Sequence, residues 1–362
     1  MSSCPRIRHT AAMLVALALV VLAPGLTTAA WAAPAVGDDA PAMGDIRWLM
    51  NAPEIDSVEL LRGQVVLIER SSVGTYAFSS LAPEMARLHK KYASKGLHIF
   101  SIASDKKETF MRASMTFVSD ATFPVGIGAM SNYPPKAQDQ AIVWLIGADG
   151  KIAFEAVGQN GQGRGAAQYS YDGLEPAIEK ALKDVAYPGV GAGIGRADVA
   201  RSLSSAARAF SKQQYGKAHD AAKKLVDAGK ADADDLAQAK ELIDWIAKLH
   251  EYMVGKARAA EAAGEYVEAI AIWKRIEAQF DGDAADQAKA RLKELKDDEA
   301  AQKEIKARQQ LDPMISGISG STNLGTLSTQ LKAFAQRYDG TAAAKAATAL
   351  AADADSAASG SK

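Results

Sequence analysis

The stretch from Val65 to Phe100 constrains the fold more than any other part of this 362-residue chain. It opens on Gln64–Arg70, a near-continuous apolar run of the kind found in a strand covered on both faces. Ala77–Ser94 then places Leu81, Met85, Leu88 and Tyr92 at helical spacing, with Pro83 inside the segment. Lys90, Lys91 and Lys95 gather at its end, where a helix dipole favours positive charge. Gly96 turns the chain into a second apolar run, Leu97–Ala103. A strand, a helix and a strand in this order predict a layered α/β architecture.

The neighbouring segments extend that unit. Residues 33–44 are rich in Ala, Pro, Gly and Asp and read as a flexible lead-in. Asp45–Asn51 reads as a first strand, and Val58–Leu61 as a short helix ending at Gly63. Lys106–Phe117 is amphipathic and Thr122–Ile127 returns as a strand. Ala141–Ile146 and Ile152–Val157 flank Ala148-Asp149-Gly150, a hairpin signal, and Leu174–Val185 closes the unit as a helix. The sum predicts a mixed sheet with helices on both faces.

Residues 34–186 resemble the periplasmic thioredoxin-like reductase and redoxin group. The resemblance rests on Gly63-Gln64-Val65-Val66-Leu67, Pro83, Leu88 to Tyr92, Lys95-Gly96-Leu97 and Ala148-Asp149-Gly150-Lys151-Ile152. It implies a Cys-x-x-Cys pair after the first core strand and a cis-proline before the hairpin. Registered on Pro83, the two cysteine positions fall on Thr75 and Phe78; registered on Asp149-Gly150, the proline position falls on Ala141. All three are degenerate. Disulfide exchange needs a thiolate at a helix N-terminus and a second thiol to resolve the mixed disulfide, and neither Thr75 nor Phe78 supplies one.

The whole chain holds one cysteine, Cys4, so no intrachain disulfide can form. Arg6 and Arg8, the apolar run Ala11–Ala23 and the Ala30-Trp31-Ala32 boundary read as a signal peptide over residues 1–32, cleaved after Ala32. Cleavage leaves 40 basic against 43 acidic residues and no thiol. This predicts a periplasmic or secreted protein without a membrane span in the mature chain. A formal charge of −1 gives no reason to propose nucleic acid as a partner.

Tyr187–Gly195 is a Gly-rich linker, and no strand leads into it that would make its glycines a dinucleotide fingerprint. Beyond it nearly every segment has helical periodicity. Gln214-Tyr215-x-x-Ala218 is echoed by Glu265-Tyr266-x-x-Ala269, and Phe280-Asp281-Gly282 by Tyr338-Asp339-Gly340. A large aromatic facing small alanines is how stacked helical hairpins interlock, and this half resembles degenerate tetratricopeptide-type repeats. The reading gives a thioredoxin-like α/β domain over 33–186, the linker over 187–195 and a helical-hairpin domain over 196–310. A loop over 311–325 and a terminal hairpin over 326–362 follow, fraying from Ala351 onward. The linker predicts separate cores for the two halves, with Tyr215, Tyr266 and Phe280 as core aromatics of the array.

For function, Glu69, Arg70, Tyr76 and Gln140 form the candidate binding surface, at the strand end where open α/β sheets bind ligands. Ser71 or Ser72 as nucleophile lacks a partnered histidine, and His89, His98, His219 and His250 lack metal-ligand spacing. No cofactor or metal is expected. The expected role is a redox-inactive module that binds envelope protein partners. The alternatives are an oxidoreductase relative that keeps only substrate docking, and a non-thiol enzyme using Glu69 and Arg70.

Overall fold

The computed structural model describes residues 33–71, 76–103, 121–128, 130–134, 141–160, 169–185, 200–319 and 321–360, with the backbone alone at 76–80, 159–160, 169–170 and 360. The leader, the Lys106–Phe117 segment and the Gly-rich linker therefore lie outside the described residues. The apolar runs form a six-stranded sheet of β1 (Ile46–Met50), β2 (Val65–Ser71), β3 (Leu97–Ala103), β4 (Val125–Gly128), β5 (Ile142–Ile146) and β6 (Ile152–Val157). Their spatial order is β1-β4-β3-β2-β5-β6. Strands β2, β3 and β4 run parallel; β5 is antiparallel to β2, β6 to β5 and β1 to β4.

Helix α1 (Tyr76–Tyr92) crosses from β2 to β3, and α2 (Leu174–Ala181) follows the β5–β6 hairpin. A β-α-β half joined through its first strand to a β-β-α half is the thioredoxin-like arrangement. Gly96 makes the turn into β3 at φ +98, a left-handed conformation that favours glycine. Its α-carbon lies so close to Val185 that a Cβ there would meet Cγ1 at 2.8 Å. Val58–Leu61 forms hydrogen-bonded turns rather than the expected helix, with Leu61 N donating to Ser57 O at 3.1 Å and Gly63 N to Ala148 O at 2.8 Å.

Side chains alternate along β2, so the sheet faces two cores. Val65 and Leu67 pack with Leu81, Met85 and Leu88 of α1 and with Leu174 and Ile178 around α2. Val66 and Ile68 join Phe100, Ile102 and Trp144 on the other face.

The second half is a run of helices: α3 (Ser204–Phe210), α4 (Tyr215–Ala228), α5 (Ala233–Ala262), α6 (Tyr266–Gln279), α7 (Asp283–Asp297), α8 (Glu299–Ser316), α9 (Leu324–Arg337) and α10 (Ala342–Gly360). Each of α3 to α7 packs on the next helix in sequence where the chain folds back, as does α9 on α10, and α8 also packs on α6 and α10. The acidic runs act as caps: Asp232 accepts from Asp235 N and Asp298 from Ala301 N, both at 2.8 Å. At Gly216 in α4 an added Cβ would sit 2.5 Å from Asp281 N, so the aromatic–turn motif of one echo presses directly on the helix start of the other. No described helix is long and apolar enough to cross a membrane.

Three further expectations need correction. The halves do not have separate cores, because Phe210, Tyr215 and Trp245 of the helices belong to the same buried cluster as Ile68, Phe100 and Trp144 of the sheet. Tyr266 is only half-buried; Phe210 and Trp245 fill the core beside Tyr215 and Phe280, with ring centroids 4.8–5.5 Å apart between neighbours. Lastly, α8 continues through Pro313 to Ser316 and α10 runs to Gly360 without fraying at Ala351. Burial explains both: Leu311, Ile315, Leu331, Phe334, Leu350 and Ala351 form a third core. Glu304 fixes that arrangement, both its oxygens accepting from Ala343 N at 3.1 Å, at the buried amide end of α10.

Candidate functional site

The polar end of β2 is where the sequence directs attention. Glu69 shares a face with Val65 and Leu67 and points into the core beneath α1 and α2, only 1% exposed. Parallel pairing sets it opposite Ser101 of β3, whose hydroxyl donates to Oε2. Among the described residues, Ser71 and Tyr171 also face the carboxyl. Burial pushes the Glu69 pKa up to about 7, against the pull of Ser101, Ser71 and Tyr171 towards the ionised form. Burial likewise drives the Tyr171 hydroxyl well above its ordinary value, helped by the negative charge at Glu69. The result is a carboxyl that can hold its proton near neutrality inside an apolar layer.

Arg70, one residue on, faces the opposite side of the sheet. Its Nη1 donates to the backbone oxygen of Tyr133 at 2.6 Å, and burial lowers its pKa. Glu69 and Arg70 thus cannot act on one ligand, because a two-residue period puts adjacent side chains on opposite faces. Ala141 is fully buried just before β5, its carbonyl accepting from Gly158 N at 2.7 Å. Tyr76 and Phe78 lie in the first turn of α1, where the backbone alone is described, and Thr75 and Gln140 lie outside the described residues. Of the two histidines of this half, His89 Nδ1 pairs with Thr122 Oγ1 at 2.7 Å, and His98 Nε2 with Gln64 Oε1.

The second candidate is the seam between sheet and helices, which sequence reasoning missed. The connection from β1 to β2 carries it. Asp56 accepts from Trp48 Nε1 at 2.8 Å, from Lys256 Nζ at 3.0 Å and from the Tyr252 hydroxyl. Burial opposes ionisation of Asp56, but the Lys256 charge and these hydrogen bonds outweigh it and hold the pKa below the ordinary aspartate value. Leu60 O accepts from Trp245 Nε1 at 3.1 Å. Glu54 accepts from Gln213 Nε2 at 2.8 Å and from Gln279 Nε2 at 2.6 Å.

A cavity of about 320 Å³ opens along this seam. Phe210, Tyr215 and Trp245 form one wall, and Glu54, Gln213 and His98 contribute polar groups. Burial and the nearby His89 hold the His98 pKa down to about 4, so its imidazole is neutral at ordinary pH. Gln213 adopts φ 56 in the turn between α3 and α4, a left-handed position where a non-glycine residue costs about 1–2 kcal/mol. The side chain that incurs this cost is one of the two that hold Glu54. No short motif announces the seam, because the hydrogen bonds that cross it join residues 159 to 225 positions apart.

No protein-family model and no curated protein matches the chain. Among solved structures it is similar to a candidate thiol:disulfide interchange protein DsbE of Chlorobium tepidum, at 20% identity over 41% of this chain and 99% of that one, with a TM-score of 0.31. The thioredoxin domain of a thiol-disulfide oxidoreductase of Bacteroides vulgatus matches at 17% identity over 41% of this chain and 98% of its own, with a TM-score of 0.31. A thioredoxin-family thiol:disulfide interchange protein of Chlorobium tepidum TLS matches at 20% over 35% and 85%, with a TM-score of 0.28. The thioredoxin-like character of the N-terminal half rests on its own strand order and directions, with no cysteine pair in the chain to accompany it.

Proposed function

We propose that this chain is an exported, redox-inactive thioredoxin-fold protein that serves as a protein-binding scaffold in the cell envelope. One observation carries the redox-inactive part: a single cysteine, Cys4, in a segment with the pattern of a cleaved leader. Thiol–disulfide exchange through an intrachain pair needs two sulfurs, whatever the fold around them. The scaffold part rests on fold-level analogy. Helices stacked in sequence, with the Tyr-x-x-Ala echoes of a tetratricopeptide-like array, present extended faces suited to holding another polypeptide. Packing of that array onto the sheet supports a rigid platform.

Two measurements test this together. The purified chain should reduce insulin no faster than buffer with dithiothreitol alone. Immobilised on beads, it should retain the same envelope protein with and without dithiothreitol, because no mixed disulfide takes part. Thiol-dependent turnover, or capture that vanishes on reduction, contradicts the reading. The exported location is tested by N-terminal sequencing of the mature protein, expected to begin at Ala33.

A further inference from the structure

We propose that the seam cavity binds a small organic cation, an ammonium group seated between the Glu54 carboxylate and the Phe210–Tyr215–Trp245 wall. Three observations point to this class. Among the described residues the lining offers one acidic side chain and no lysine or arginine, so it has a charge to match rather than one to share. The carboxylate is held by two carboxamides, Gln213 and Gln279, which fix its position and leave its charge uncompensated by a cation of the cavity wall. The aromatic wall is preorganised, with Phe210, Tyr215 and Trp245 packed edge-to-face at 4.8–6.0 Å. A cation over aromatic faces in a partly desolvated site is attracted by the ring quadrupoles, whereas an anion meets Glu54 and the negative ring faces.

His98 reinforces the choice, since its neutral imidazole adds no competing positive charge. A volume near 320 Å³ suits a small molecule, at the lower end of the usual range for ligand sites. Both halves of the chain supply walls, so the site exists only in the docked molecule. This binding role is additional to the scaffold reading and stands without it.

Choline chloride and its neutral isostere 3,3-dimethylbutan-1-ol are the probes, titrated separately into the full chain by calorimetry. Choline is expected to bind about tenfold or more tightly than the isostere. Glu54→Gln keeps an acceptor for one carboxamide and should abolish the preference, leaving the two probes alike. Should that variant fail to fold, thermal shifts of the unmodified chain carry the same comparison, with choline raising the melting temperature more than the isostere does. Equal effects of the two probes, binding of neither, or a choline preference that survives in folded Glu54→Gln overturns the proposal.

Discussion

At the scale of single residues, Glu69 is a carboxyl displaced by burial towards its neutral form. Its folded pKa of about 7 exceeds the ordinary carboxyl value of 4.5, so folding favours the protonated form. Below pH 4.5 folded and unfolded chains both hold this proton and nothing is lost. Between 4.5 and 7 the unfolded chain releases it first, so stability falls as pH rises, by about 3 kcal/mol in total. Glu69→Gln keeps the acceptor for Ser101 and removes the ionisation. The variant should match the parent near pH 4 and exceed it near pH 8 by up to that amount in urea denaturation. A parent and variant with parallel pH profiles would show that the carboxyl is not held neutral. The polar end of β2 was legible from its residue types, but its division was not drawn from them. Strict alternation along a fully buried strand already assigns Glu69 and Arg70 to different faces.

At the scale of elements, the β2–α1–β3 unit was readable because a continuous apolar run, a helical period and a glycine turn each carry a local signal. The later helices carried the period but not their ends. The loop expected over 311–325 begins only after Ser316, because Leu311 and Ile315 are buried against α9 and α10 and the helix persists through Pro313. Sequence echo also overstated Tyr266. It repeats the setting of Tyr215, but only Tyr215 sits in the aromatic cluster, 4% exposed. Tyr215→Ala should therefore cost about 3–5 kcal/mol and Tyr266→Ala only about 1–2 kcal/mol. Equal losses in chemical denaturation would mean that both echoes are equivalent in packing. The register of the turn before α1 has its own test. If the register on Pro83 holds, Thr75→Cys with Phe78→Cys should form a disulfide in air that dithiothreitol reduces. Two thiols that remain free after oxidation show that the register is displaced.

At the scale of the whole molecule, the glycine-rich linker suggested two bodies, and the buried contacts join them into one. Sheet residues Ile68, Phe100 and Trp144 share a core with Phe210, Tyr215 and Trp245, and the β1–β2 connection bonds to α5 through Asp56, Leu60, Tyr252 and Lys256. Residues brought together across some 200 positions leave no periodic trace, which is why this seam was not legible. Its energetic consequence is cooperativity. Trp245 is 5% exposed and meets both halves, so Trp245→Ala should remove about 3–5 kcal/mol from a single unfolding transition. Hydrogen exchange should then rise in β2 and β3 as well as in α4 and α5. Asp56 adds a pH signature. Its folded pKa lies below the ordinary value, so its contribution is present above about pH 4 and is lost as pH falls further. Asp56→Asn should flatten that acid limb while leaving one transition. A Trp245→Ala chain in which the sheet keeps its parental melting midpoint would separate the halves again.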